Sequence, residues 1–313
     1  MKLVILDRRS LGNDVDVSIF DKFGEVISYD LTKENETLER VKDADIVITN
    51  KVLITKEHMD NSKMKLICIT ATGTNNVDLA YAKEKGIPVK NVAGYSSSSV
   101  AQVAFSMIFY FVTKLNYYKN YVDEGNWQKS ELFTHIDAPF FELDGKRVGV
   151  IGLGDIGRNF AKKASAFGCE VVYYSTSGKN SNSEYKRVEL DELLKTSDII
   201  SIHCPLNNDT KDLLNYENMK TIKDGAILLN LGRGGIINEA DLAKIIDEKE
   251  IYCGIDVVSV EPILESNPLL KVKNKEQLLL TPHIGWASIE ARTKLVSMVA
   301  KNIEEFISQE KSL

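Results

Sequence analysis

Eleven short runs rich in Val, Ile and Leu alternate with helix-like segments along nearly the whole chain, and this rhythm restricts the fold more than any other feature. The runs form two series. The first comprises LVILD (3–7), EVISYD (25–30), DIVITN (45–50), KLICITATG (65–73) and PVKNV (88–92). The second comprises RVGVIG (147–152), EVVYYS (170–175), DIISIH (198–203), AILLNLG (226–232), CGIDVV (253–258) and LLLTPHIG (278–285). The runs are not strictly alternating, as expected of strands buried on both faces of a parallel sheet. Segments such as LERVKDA, DLAYAKEKG, RNFAKKASAFG, LDELLKTSD and EADLAKIIDEKE separate them, and several end in Gly or a charge, as helix termini do. The expectation is an α/β fold with parallel sheets, in about two domains for 313 residues.

Composition narrows the class. With 43% hydrophobic and 27% charged residues, the chain is neither mostly disordered nor a membrane bundle. Lys and Arg number 39 against 45 Asp and Glu, and no basic stripe stands out, so no nucleic-acid partner is expected. The longest apolar stretch, residues 103–112, is short of the roughly 20 residues a bilayer requires, so no membrane partner is expected. MKLVILDRRS has only a four-residue apolar run before its charges, so a secretory signal is not expected either. Cys68, Cys169, Cys204 and Cys253 lie far apart with no CxxC pair. They read as reduced, buried thiols of a cytoplasmic protein, and no metal site is expected.

Between the two series, residues 100–146 form an excursion. VAQVAFSMIFYFVTKLNYYKNYVDEG reads as one long apolar helix, capped by the preceding serines 96–99. The remainder, with Pro139 and scattered aromatics, is loop-like. Its aromatics serve either a subunit contact or packing on the chain's own surface.

The strongest local motif is KRVGVIGLGDIGRNFAKKA, with Gly152, Gly154 and Gly157 between an apolar strand and a helix. Gly152 allows the tight turn, Gly154 lets the backbone approach a pyrophosphate, and Gly157 lets the helix pack on the strand. Asp155 and Ile156 stand with them at the helix start, where free N–H groups favour an anion. A dinucleotide fold places an acid at the end of the second strand to hold the ribose of NAD. Here that end carries Ser175, Thr176 and Ser177, then Lys179, while Glu170 lies at the wrong end. The hydroxyls and Lys179 remove the repulsion of a 2′-phosphate, so NADP(H) is expected to be accepted beside NAD. The other reading makes Ser175 a strand cap and leaves NAD with weaker ribose contacts.

Four histidines are candidates for proton transfer. His58, in KEHMD, reads as an inert surface residue. His135, in FTHID, reads as a loop or subunit-contact residue. His203, in SIHCPLN with Pro205, either lines a cofactor pocket or is structural. His283, in TPHIGW after an apolar run, lies at a strand's carboxyl end, where open α/β sheets bind ligands, and is the best candidate. Glu261, in DVVSVEP, either orients that imidazole or is a surface acid before a proline turn. Arg233, in NLGRGG, either captures a substrate carboxylate or is a surface cation.

Together VGVIGLGDIGR, NLGRGGIINEADL, GIDVVSVEP and LLLTPHIGWAS, in this order, closely resemble the D-isomer-specific 2-hydroxyacid dehydrogenases. ITATGTNNVDLAYAKEKGIPVKNVAGYSSSSVAQ extends the resemblance to the first half. The resemblance implies two Rossmann-like domains: a discontinuous substrate domain at 1–98 and 287–313, and an inserted dinucleotide-binding domain at 99–286. It implies that Arg233, Glu261 and His283 are catalytic, that Asp256 holds the nicotinamide carboxamide, and that the backbone at Thr72, Gly73 and Thr74 receives the substrate carboxylate. It also implies a homodimer. TNKVLIT, TATGTNNVD and TPHIGWAS point to the glycerate dehydrogenase and hydroxypyruvate reductase branch, with Trp286 shaping a small polar pocket beside His283. Hydroxypyruvate or glyoxylate, giving D-glycerate or glycolate, is the substrate expectation, with a D-lactate-type enzyme as the alternative. Co-repressors that sense the cofactor share the fold and supply a reading of another class. Two departures stand out: Ser175 at the expected acid, and Gln102 where many relatives carry an acid.

Overall fold

A computed structural model describes residues 1–179 and 184–310. The chain divides into two compact units, Met1–Ser96 with Ala287–Leu313, and Ser97–Trp286. Each is an α/β unit with an all-parallel sheet, as the apolar runs predict.

The N-terminal unit holds β1 (Lys2–Ile5), β2 (Glu25–Ser28), β3 (Ile46–Thr49), β4 (Leu66–Ile69) and β5 (Val89–Lys90), in the order β2-β1-β3-β4-β5. β3 and β4 are buried along their whole length, which is why they read as unbroken apolar runs. The helix Ile289–Glu310 returns to this unit and packs on β4. Arg292 near its start grips Asp14 through two N–H groups, at 2.5 and 2.7 Å, and also donates to the Leu11 and Ala287 carbonyls. That grip holds the Asp14 carboxyl down, to a pKa of about 2.

The second unit holds β6 (Arg147–Ile151), β7 (Glu170–Tyr174), β8 (Lys186–Arg187), β9 (Ile199–Ile202), β10 (Ala226–Asn230), β11 (Ile251–Ile255) and β12 (Leu278–Leu280), in the order β12-β11-β10-β9-β6-β7-β8. β8 is polar and exposed at the sheet edge, so no apolar run announces it. The strand order reverses between β6 and β9, and open α/β sheets bind ligands beyond the carboxyl ends at such a point.

The excursion differs from the single helix expected of it. Lys114 adopts a left-handed φ of 52°, dividing it into Ser97–Thr113 and Leu115–Asp123, bent by 58°. Three of the four serines lie inside the first helix, and only Ser96 precedes it. The physical reason is burial. Val100, Ala101, Ala104, Phe105, Ile108 and Phe111 enter the core over the sheet, whereas the second helix has no buried residue to hold it in line. Each large apolar side chain so buried stabilises the unit by about 1.5–3 kcal/mol. The helix lies close to the sheet, and a Cβ at Gly254 would stand 2.9 Å from Met107 Sδ. No single described helix is long and apolar enough to cross a membrane. Beyond the bend Leu115, Trp127, Leu132, Ile136 and Phe140 are exposed, and Phe133 is 90% exposed. His135 is held there, its ring stacked on Tyr121 at 3.7 Å and its Nε2 2.7 Å from the Tyr117 hydroxyl.

Two further expectations meet their test here. His58 is not a surface residue: it is 7% exposed, its Nδ1 accepts from the Thr55 N–H, and burial lowers its pKa. A short helix, Lys56–Asp60, turns the ring inward, which a polar five-residue segment does not reveal. All four cysteines are free and buried, and burial pushes the Cys68 thiol up to about 12 and Cys204 to about 11.

Candidate active site

The glycine turn follows β6. Gly152 has a φ of +93°, which side chains disfavour, and a Cβ there would lie 2.7 Å from the Cys204 N. A Cβ at Gly157 would lie 2.2 Å from the Gly152 carbonyl oxygen, so the helix Asp155–Ala166 seats directly on the turn. Gly154 is different: among the described residues nothing lies within 4 Å of a Cβ built there. That open space stands before a helix start with no side-chain cap, where first-turn N–H groups lack intrahelical partners. The positive helix end and the missing side chain at Gly154 suit a pyrophosphate. Ile156, on the first turn, packs against the core of this unit.

At the end of β7, Ser175 is 4% exposed and its hydroxyl meets no partner among the described residues. The turn closes with Gly178 N–H on the Ser175 carbonyl. Thr176 is half-buried and Lys179 exposed. Arg187, from β8, donates to the Gly178 carbonyl at 3.0 Å and brings a second cation to this turn. The sequence reading missed Arg187 because only strand pairing places it here: its neighbour across the ladder is Tyr173.

His203, just after β9, has its imidazole buried beside Phe160, with Nε2 2.9 Å from the Ser201 hydroxyl. Burial drives its pKa down to about 3, so the ring is the neutral imidazole near neutral pH, with one nitrogen protonated. Its Nδ1 has no partner among the described residues. Pro205 follows in an exposed turn and accepts from the Thr210 hydroxyl.

Arg233, Glu261 and His283 follow β10, β11 and β12, neighbouring parallel strands, at one edge of the sheet. The structure brings Glu261 and His283 into direct contact, Oε2 to Nδ1, at 2.7 Å. An ionised carboxylate only accepts, so Nδ1 donates and Nε2 is left for other chemistry. Glu261 Oε1 accepts from Val258 N–H at 3.2 Å, which fixes the carboxylate. Arg233 is exposed, and its guanidinium donates to the Gly232 carbonyl and forms no ion pair among the described residues. Buried Asn230 brackets its turn, accepting from Gly232 N–H and donating to the Arg233 carbonyl. Gly234 has no room for a side chain: a Cβ would sit 2.0 Å from the Val258 carbonyl carbon. The Arg233 turn therefore lies against the segment that carries Glu261.

Asp256 does more than the resemblance implies. It is 2% exposed, and its carboxylate accepts from the Thr281 hydroxyl at 2.5 Å and from the N–H groups of Ile284 and Gly285, both at 2.8 Å. Its carbonyl accepts from His283 N–H at 2.9 Å. One residue thus clamps both flanks of His283, whose backbone has a left-handed φ of 53°. Burial pushes the Asp256 carboxyl up, opposed by these donors and by His283. Trp286, half-buried, ends the same loop.

Thr72, Gly73 and Thr74 lie in the N-terminal unit, after β4. The Thr72 hydroxyl is used internally, donating to the Val92 carbonyl at 3.0 Å. The N–H groups of Gly73 and Thr74 donate to no other group among the described residues, so both are left to meet an anion.

Comparison with known proteins agrees with this geometry. Residues 105–285 match the model of the D-isomer-specific 2-hydroxyacid dehydrogenase NAD-binding domain. The chain is 41% identical to a hydroxypyruvate reductase of Blautia hydrogenotrophica, covering 98% of this chain and 97% of that one. It is 35% identical to a glycerate dehydrogenase of Methylorubrum extorquens, covering 98% and 96%. Among solved structures, an acyclic imino acid reductase (Bsp5) in complex with NADPH and D-Arg superposes with a TM-score of 0.84 at 30% identity, covering 99% and 98%. A strand-end Glu–His pair, an open glycine cradle and end-to-end relatives lead to one conclusion: the chain belongs to the D-isomer-specific 2-hydroxyacid dehydrogenases, in the glycerate dehydrogenase and hydroxypyruvate reductase branch.

Proposed function

We propose that this chain reduces hydroxypyruvate and glyoxylate to D-glycerate and glycolate with a reduced nicotinamide dinucleotide. The observation that carries the reading is the 2.7 Å contact of His283 with Glu261, beside the turn of Arg233, which forms no ion pair among the described residues. The substrate class rests on the names of the full-length relatives, and these enzymes speak against a co-repressor-like binding protein.

When bound, the reduced nicotinamide supplies a hydride to the keto carbon. Arg233 pairs with the substrate carboxylate and stabilises negative charge growing on the keto oxygen. In the N-terminal unit, the N–H groups of Gly73 and Thr74, which donate to no other group among the described residues, suit a carboxylate as well. His283, as imidazolium, gives its Nε2 proton to the developing alkoxide and ends neutral. Glu261 holds the ring through Nδ1, and Asp256 holds the loop that presents it, beside any contact with the carboxamide. Trp286 walls a pocket for a short side chain.

Glu261→Gln removes the charge beside Nδ1 but keeps an acceptor. The kcat for reduction is expected to fall by about tenfold, because the amide replaces the charge-assisted bond of Nδ1 to Glu261 with a weaker neutral one. A kcat for reduction equal to that of the wild type would remove Glu261 from this role.

NADPH is accepted beside NADH in this reading. Residues 175–179, directly after β7, hold no carboxylate to repel a 2′-phosphate, Ser175 and Thr176 offer hydroxyls, and Lys179 and Arg187 offer cations. The protein works as a homodimer in the cytoplasm, with exposed Phe133, Ile136 and Phe140 covered by a second copy. The deciding experiment is a panel of hydroxypyruvate, glyoxylate, pyruvate and branched 2-keto acids with each cofactor. Turnover is expected first on the two-carbon and hydroxylated acids. Faster reduction of pyruvate would turn the reading to a D-lactate-type enzyme, and no turnover on any acid would overturn it.

A further inference from the structure

Asp155 is an awkward residue for its place. It opens the helix behind the glycine turn, and a carboxylate there suits the helix dipole but opposes an incoming pyrophosphate. Arg158, one turn on, answers both parts of this conflict. Its Nη2 donates to Asp155 Oδ1 at 2.7 Å, and its Nη1 reaches back to the Leu153 carbonyl at 3.0 Å. The second bond has a geometric consequence. In a planar trans peptide the carbonyl and the N–H point in opposite directions, so holding the Leu153 oxygen also fixes the direction of the Gly154 N–H, away from the guanidinium. Gly154 is the residue with open space in front of it.

We propose that Arg158 is a positioning residue for dinucleotide binding: it neutralises Asp155 and locks the Leu153–Gly154 peptide so that the cradle presents an N–H, and not a carboxylate or a carbonyl, to the pyrophosphate. The inference rests on the reading of the glycine turn as the cofactor site. Both side chains are substantially exposed, at 48% and 71%, so the pair adds little to folding and its removal leaves the fold in place. The consequence falls on the ligand, which brings two further negative charges to the same spot. Asp155 therefore lowers affinity, and Arg158 restores it.

The probe is ADP-ribose, which carries the pyrophosphate but no nicotinamide, titrated calorimetrically into the full chain. Arg158→Ala is expected to weaken binding by about tenfold, the size of one charge-assisted contact. Arg158→Lys is expected to recover only part, because an ammonium reaches the carboxylate or the carbonyl but not both. Asp155→Asn is expected to tighten binding by about threefold, with the gain shrinking as salt is raised. Circular dichroism of each variant checks that the helix persists. Wild-type binding with an unchanged Kd in Arg158→Ala, or weaker binding in Asp155→Asn, would overturn the inference while leaving the cofactor site intact. No binding of ADP-ribose by the wild type would overturn the site itself.

Discussion

His283→Ala is expected to lower kcat/KM for 2-keto acid reduction by roughly a thousandfold, the contribution of a well-placed general acid. Among the described residues, the geometry supplies no substitute. His203 is half-buried and neutral, its pKa driven to about 3, and His58 and His135 are engaged far along the chain in the N-terminal unit and the excursion. The loop must survive for the result to be read as chemistry. His283 has a left-handed backbone, which alanine disfavours by about 1–2 kcal/mol and asparagine tolerates. His283→Asn therefore keeps the loop and loses only the proton. Equal losses in both variants, with unchanged affinity for the reduced cofactor, are the expected outcome. Activity within tenfold of the wild type in either variant would remove His283 from the reaction.

Arg233→Ala is expected to cost a similar factor, about a thousandfold, split between KM and kcat. A residue that only captured the carboxylate would raise KM alone. One that also stabilises the developing alkoxide lowers kcat as well, and both changes are expected. Arg233→Lys is expected to recover little, because an ammonium offers no planar fork for a carboxylate. The side chain is exposed and holds no ion pair among the described residues, so stability should change by only about 0.5 kcal/mol. Unchanged steady-state constants in Arg233→Ala would end the assignment.

Much of this was legible in the linear chain. Every apolar run expected to be a strand is one, most plainly β3, β4, β9 and β10, because a strand buried on both faces has no polar position to blur its pattern. The glycine turn was legible because its spacing is set by collisions: Gly152 against Cys204 and Gly157 against the Gly152 carbonyl. The elements that escaped have little apolar burial. β8 is two exposed cations, the break at Lys114 lies where the apolar face leaves the core, and the helix that buries His58 is five residues long. Arg158 escaped for a related reason, since a cation on an exposed helix turn carries no pattern until its partners are seen.

Chain order alone determined which groups end up at the carboxyl edge of a parallel sheet, because each follows an apolar run that must be a buried strand. What the folded molecule decided is how those groups are held. The contact of Glu261 with His283 joins residues 22 apart in sequence, and Asp256 reaches 25 to 29 residues to clamp the histidine loop. Such bonds depend on strand register and on burial that strips water from a carboxylate. Local composition encodes neither, so they exist only once the neighbouring strands have paired.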